Sequence, residues 1–137
     1  YVFVPIAQLL KSEQLEYIIN DCDIQCILTD EKKLPTIKMT NFKGTIITTT
    51  FCCKDIVSFE EIYKCFEDID YDCSLNGHDN ASIAYSFASS GFPKGIVISH
   101  RNFIDGARVV SKYLNIQEDD RISGLLSFSF DYGLNQI

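Results

Sequence analysis

These 137 residues are short of several things. No apolar run approaches the roughly 20 residues that a membrane-spanning helix needs, so no membrane span is expected. No basic stretch leads into an apolar one at the start, so no secretory signal is expected either. The first residue is Tyr1 rather than Met, and the opening reads as the middle of a gene product. Positive charge is scarce: 12 Lys and Arg stand against 19 Asp and Glu, a formal net charge of −7. That balance disfavours a nucleic-acid backbone or an anionic membrane as partner. There is no Cys-x-x-Cys pair, and His78 and His100 stand alone, so the spacings of a zinc site are absent. The six cysteines (Cys22, Cys26, Cys52, Cys53, Cys65 and Cys73) therefore read as reduced, structural thiols of a cytoplasmic protein. In that compartment the sequon Asn80-Ala-Ser82 carries no meaning. The acidic stretch 68–80 lacks EF-hand spacing and reads as a solvated linker, so no metal ligands are assigned. No internal repeat and no low-complexity segment occurs.

What is present has an ordinary globular balance, 46% hydrophobic and 23% charged, enough for one domain with a core. Tyr1–Ile6 reads as the end of a buried strand. Ser12 suits a helix N-cap with Glu13 in the first turn, and Leu15, Ile18, Ile19 and Cys22 share one face. That helix is expected to stop near 21–23, and Cys26–Thr29 is the next strand. This β-α-β order argues for parallel pairing with helices on the sheet face. Residues 30–42 are polar and carry Pro35, so mostly loop with one short turn is expected, and β-branched 44–50 reads as a strand. Ser58 and Glu61 form a capping box before an apolar stripe of Phe59, Ile62 and Phe66. After Ser99 and His100 a further helix is expected to bury Phe103, Ala107, Val110 and Leu114. Arg121–Phe128 reads as an apolar strand, and 129–137 as a turn into another helix.

The stretch that organises the chain is 86–95, Ser-Phe-Ala-Ser-Ser-Gly-Phe-Pro-Lys-Gly. It joins two short β-rich runs, 81–85 and 95–99, directly, so that pair is expected to be antiparallel. Three hydroxyls, two glycines and Lys94 suit an oxyanion: hydroxyls and backbone N–H groups donate, Gly permits close approach, and Lys adds a point charge. Pro93 stiffens the loop before Lys94. The plainer alternative is a polar hairpin with no ligand. The stretch is neither a Walker A loop, because Lys94 is followed by Gly95 and a strand, nor Gly-x-Gly-x-x-Gly.

Residues 85–100, Tyr-Ser-Phe-Ala-Ser-Ser-Gly-Phe-Pro-Lys-Gly-Ile-Val-Ile-Ser-His, resemble the AMP-binding signature of the adenylate-forming enzymes. These comprise the acyl-CoA synthetases, the peptide-synthetase adenylation domains and the luciferases. Tyr85, Ser89, Ser90, Gly91, Pro93, Lys94, Gly95, Ser99 and His100 match the pattern, with Ser86 in place of Thr. Phe87 and Ala88 depart from it, standing where the family usually has Ser and Gly. The Val-Pro of Val4-Pro5, the Tyr-Ile-Ile of 17–19, the Leu-Thr-Asp of 28–30 and the Ser-Phe-Asp-Tyr-Gly of 129–133 also resemble family segments.

The resemblance implies an α/β fold: part of the N-terminal large domain, mostly parallel sheet with flanking helices and an antiparallel hairpin carrying the phosphate loop. Residues 1–137 would be one partial AMP-binding domain, cut at both ends and completed by the remainder of its own domain. It implies ATP-dependent activation of a carboxylic acid to an acyl-adenylate and then a thioester, as in an acyl-CoA synthetase. Ser86, Ser89, Ser90, Gly91 and Lys94 would hold the ATP phosphates with Mg²⁺ sharing the charge, and Phe130 and Asp131 would line the acyl pocket. Coenzyme A or a carrier-protein thiol would accept the acyl group. No catalytic residue of the family falls within the chain, so the 137 residues alone are expected not to catalyse. The alternatives are an amino-acid adenylation domain of a peptide synthetase, and a non-catalytic remnant or nucleotide-binding interaction module, for which Phe87 and Ala88 speak. An isolated slice would expose sheet edges and apolar helix faces.

Overall fold

A computed structural model describes residues 1–49, 56–65, 74–86 and 93–126. The chain forms two compact units, Leu9–Asp72 and, separately, Tyr1–Gln8 with Cys73–Ile137.

In the first unit, helix α1 covers Ser12–Asp21 and buries Leu15, Ile18 and Ile19. Its cap is Lys11 rather than Ser12: the Lys11 backbone N–H donates to Gln14 Oε1 at 3.1 Å, and Ser12 is already helical. The helix ends where Asp23 turns left-handed at φ 49°, which frees Ile24 N–H to donate to Ile19 O at 3.0 Å. A short polar residue tolerates that conformation where Gly is the usual choice.

Strands β1 (Cys26–Thr29), β2 (Thr45–Thr48) and β3 (Val57–Ser58) form a parallel sheet in that order. The register runs from Cys26 opposite Thr45 to Thr29 opposite Thr48, then Ile47 opposite Val57. β2 is β-branched at all four positions, as suits a central strand. The connection 30–42 is not mostly loop: a 3₁₀ turn over Glu31–Lys33 leads into helix α2, Leu34–Lys38. Asp30 Oδ1 accepts the Lys33 N–H at 3.1 Å, and Pro35 sits in the first helical turn, where its missing N–H costs no hydrogen bond. α2 buries Ile37, and Asn41 donates to Glu16 of α1 through Nδ2 at 2.7 Å. Helix α3 (Phe59–Cys65) starts with the expected reciprocal cap: Glu61 N–H donates to Ser58 Oγ and Ser58 N–H to Glu61 Oε2, both at 3.1 Å. On its stripe Ile62 is half-buried and Phe59 exposed, and Phe66 lies outside the described residues. Cys26 and Cys65 are free thiols.

In the second unit, β4 (Asn80–Ser86) and β5 (Lys94–Ser99) form the expected antiparallel hairpin, followed by helix α4, His100–Leu114. Tyr1–Ile6 is not a buried strand, and it does not pair with β1. It makes one parallel bridge to β4, with Phe3 N–H donating to Ala81 O at 3.0 Å and Ile83 N–H to Phe3 O at 2.9 Å. The Phe3 side chain stays exposed. α4 ends at left-handed Asn115, φ 53°. Its expected buried face is not buried: Phe103 is half-covered, and Ala107, Val110 and Leu114 are exposed. Helical periodicity makes such a face, but only a neighbouring surface can cover it. Residues 121–126 form no strand, since nothing among the described residues supplies a pairing ladder; 127–137 lie outside them. No described helix is long and apolar enough to cross a membrane.

Candidate functional site

The site is the closing end of the β4–β5 hairpin. β4 carries alternating burial, with Ser82 and Ala84 buried and Ile83 and Tyr85 half-buried, which fixes which side chains share a face. The ladder runs from Ser82 opposite Ile98, through Ala84 opposite Ile96 and Tyr85 opposite Gly95, to Ser86 opposite Lys94. Directly opposed residues of an antiparallel pair have Cβ atoms about 5 Å apart on one face, so Ser86 and Lys94 stand side by side. Both are exposed, and Lys94 takes part in no ion pair among the described residues. Pro93 is buried immediately before Lys94 and anchors the start of β5. Gly95 fits closely opposite Tyr85: a Cβ there would come within 3.2 Å of Tyr85 Cζ and 3.1 Å of Ile83 Cγ2.

Of the residues expected to bind phosphate, the structure thus brings Ser86 and Lys94 together. Ser89, Ser90 and Gly91 lie outside the described residues, as do the departures Phe87 and Ala88. Phe130 and Asp131, expected in an acyl pocket, lie outside them too. No group of His, Cys, Asp and Glu able to hold a metal ion occurs among the described residues.

The start of α4 follows the hairpin and is closed by its own chain. Ser99 caps it, with Asn102 N–H donating to Ser99 Oγ at 3.2 Å and Ser99 N–H to Asn102 Oδ1 at 3.1 Å. His100 N–H donates to Asp79 O at 3.1 Å and Arg101 N–H to Gly77 O at 2.7 Å. These are the amides with which a helix start binds anions. Here they are engaged, so an anion near the hairpin would rely on hydroxyls, loop amides and Lys94. Residues 74–79 are exposed, as a solvated linker implies, and the Asn76-Gly77 pair with Asp79 behind it signals the turn that makes this contact.

The whole chain, residues 1–137, matches the family model described as AMP-binding enzyme. Gramicidin S synthase 2 of Brevibacillus brevis is 29% identical over 132 residues, covering 94% of this chain and 3% of that protein. Gramicidin S synthase 1 of the same organism is 26% identical over 129 residues, covering 94% of this chain and 11% of that protein. The chain therefore spans a small part of the length of the curated relatives it matches. Among solved structures, the Brucella canis acyl-CoA synthetase aligns with a TM-score of 0.87 at 12% identity, over 98% of this chain and 25% of that one. The McyG A-PCP protein complexed with phenylalanyl-adenylate aligns with a TM-score of 0.66 at 18% identity, over 87% of this chain and 19% of that one. These likenesses, like the α/β architecture itself, give the fold.

Proposed function

The chain belongs to the AMP-binding enzyme family, and from that premise we propose that the polypeptide containing it is a cytoplasmic, AMP-forming carboxylate ligase. The observation that carries this reading is the exposed Ser86–Lys94 pair at the mouth of the loop. Its hydroxyl donates and its ammonium has no partner among the described residues to neutralise it, which suits the β- and γ-phosphates of ATP. Ser89, Ser90 and Gly91 of the intervening loop complete the donor set in this proposal. Mg²⁺ would share the phosphate charge, and no residue of the chain is assigned to it.

In the first step a carboxylate oxygen attacks the α-phosphorus, a P–O bond forms, and the bond to pyrophosphate breaks. Negative charge builds on the departing oxygen, and a cation held against the phosphates lowers that barrier. Lys94 supplies that charge, while Phe130 and Asp131 line the pocket that presents the acid. A thiol then displaces AMP at the acyl carbon. Coenzyme A is the acceptor if the protein is an acyl-CoA synthetase. A carrier-protein thiol is the acceptor if it is an amino-acid adenylation domain, a reading favoured by the gramicidin synthases among its sequence relatives.

Acid-dependent exchange of pyrophosphate into ATP tests the proposal in the full-length protein. Exchange with amino acids selects the adenylation domain, and exchange with other carboxylic acids selects the acyl-CoA synthetase. Exchange with no acid rejects the ligase and leaves the remnant or interaction module. Lys94→Ala is expected to reduce exchange by roughly 100-fold, the scale of a lost electrostatic contact in a transition state.

A further inference from the structure

The hairpin that carries the loop has a register problem. Seven residues, 87–93, separate the Ser86–Lys94 pair, whereas the turns that dictate hairpin register are about two to five residues long. The ladder is also irregular between Asn80 and Ser82. A slip of one residue would turn every side chain of one strand to the other face and take Lys94 away from Ser86. Beyond the single bridge from Phe3 to β4, the described residues give this pair no further strand, and a two-stranded hairpin resists such slippage poorly.

The chain is tied at the opposite end, some six residues or about 20 Å along the strands from the loop. Residues 76–79 form a closed turn. Asp79 N–H donates to Asn76 O at 2.9 Å, Asn76 N–H to Asp79 Oδ2 at 2.8 Å, and His78 N–H to Asn76 Oδ1 at 3.1 Å. That turn precedes β4, and its carbonyls at Gly77 and Asp79 receive Arg101 and His100 N–H from the helix that follows β5. The entry to the first strand is thereby fastened to the exit from the second. Asp79 takes part with its carboxylate, its N–H and its carbonyl.

We propose that the 76–79 turn is a clasp that fixes the register of the loop-bearing hairpin, with Asp79 a positioning residue for nucleotide binding. The role toward nucleotide rests on the ligase reading; the register role rests on these hydrogen bonds together with the one-residue irregularity at Asn80–Ser82, which lies between the turn and Ser86–Lys94. Three variants of the full-length protein test it: Asp79→Ala, Asp79→Asn and His100→Pro. Asp79→Asn keeps an acceptor for Asn76 N–H. His100→Pro deletes the N–H given to Asp79 O at the first helical position, where Pro is favoured, after a Ser99 already extended at φ −83°, ψ 162°.

Amide hydrogen exchange across β4 and β5 reads the register, and pyrophosphate exchange gives the KM for ATP and for the acid. For Asp79→Ala and His100→Pro the expected result is faster amide exchange and an ATP KM raised roughly fivefold to tenfold, with the acid KM unchanged. Asp79→Asn is expected to recover most of both. Unchanged amide exchange in Asp79→Ala and His100→Pro overturns the clasp. Faster amide exchange with an unchanged ATP KM overturns the positioning role. A wild-type protein without pyrophosphate exchange overturns the ligase reading and the role built on it, and amide exchange then decides the register role by itself.

Discussion

Two helices of this chain carry comparable amphipathic patterns and meet different fates. α1 in the Leu9–Asp72 unit buries Leu15, Ile18 and Ile19, and with Ile27, Ile37 and Ile56 these make that unit's core. α4 in the other unit is longer, yet none of its residues is buried; Val110 is 50% exposed and Tyr113 84%. Periodicity reports which side of a helix is apolar. Coverage depends on a surface elsewhere in space: α1 packs against α2, whereas the element that α4 meets most among the described residues is β5, the strand that leads into it. An amphipathic stripe is thus a demand for a partner, not a sign that one is present.

The sharpest way to break this comparison is a pair of truncations followed by chemical denaturation. Ile18→Ala, at a residue 1% exposed, is expected to cost about 2–5 kcal/mol. Val110→Ala deletes a similar apolar group from a half-open position and is expected to cost no more than about 0.5 kcal/mol. Equal losses would mean that α4 is covered in solution.

Glycine substitutions come next. A Cβ on Gly44 would run into Gln25 O and the Phe42 ring, and Gln25 O cannot withdraw without losing the Thr45 N–H it accepts at 2.9 Å. Gly44→Ala is expected to cost about 1–3 kcal/mol in thermal unfolding. Gly95→Ala meets only side-chain atoms at 3.1–3.3 Å and should cost less, because Tyr85 and Ile83 can shift by tenths of an ångström. The reverse order would show the hairpin to be the stiffer of the two units.

The capping boxes compare the units at one shared feature. Ser58→Ala and Ser99→Ala each remove an acceptor for a helix-start N–H and are each expected to cost about 1 kcal/mol. A much smaller effect at Ser99 would mean that the Asp79 and Gly77 carbonyls hold the start of α4 without it.

The smallest effect is expected at Glu60 and Lys64, one turn apart on α3 with Nζ 2.6 Å from Oε1. The Lys64 hydrogen bond, then its charge, hold the Glu60 carboxyl below its ordinary value, and Glu60 raises Lys64 for the same reasons. A lowered carboxyl contributes above its unfolded value and loses that contribution as pH falls through the folded one. A raised ammonium contributes below its unfolded value and loses it as pH rises through the folded one. Both contributions are therefore present around neutrality. NMR titration of the Glu60 carboxyl should show the lowered value at low salt and its return towards the ordinary value in 1 M salt, since the pair is fully exposed.

Much of the local structure was legible in the residues. Cys26–Thr29 forms the strand its composition implies, Ser58 and Glu61 cap α3 reciprocally, and the two β-rich runs beside the loop pair antiparallel. Several readings failed, two of them for reasons that particular residues name. Pro35 reads as the mark of a loop, whereas the first helical turn needs no N–H from it. The 68–80 segment reads as a solvated linker, and its described residues 74–79 are exposed; what the charge pattern leaves out is that Asn76–Asp79 close into a turn. Tyr1–Ile6 reads as buried from its apolar content, but apolar content is not coverage, and Phe3 is 56% exposed. Of the candidate site, the sequence named Ser86 and Lys94, and the strand register placed them opposite each other.

By itself the sequence determined what a few neighbouring residues can settle: the strands at β1, β2, β4 and β5, the reciprocal cap of α3, and which loop concentrates hydroxyls, glycine and a lysine. Those outcomes rest on backbone sterics and short-range hydrogen bonds. Tertiary structure decided which strand β1 joins, which apolar face is covered, and that the first amides of α4 are spent on the turn before β4. Those depend on groups far apart in the chain meeting in space, and no local pattern specifies which of the possible partners is met.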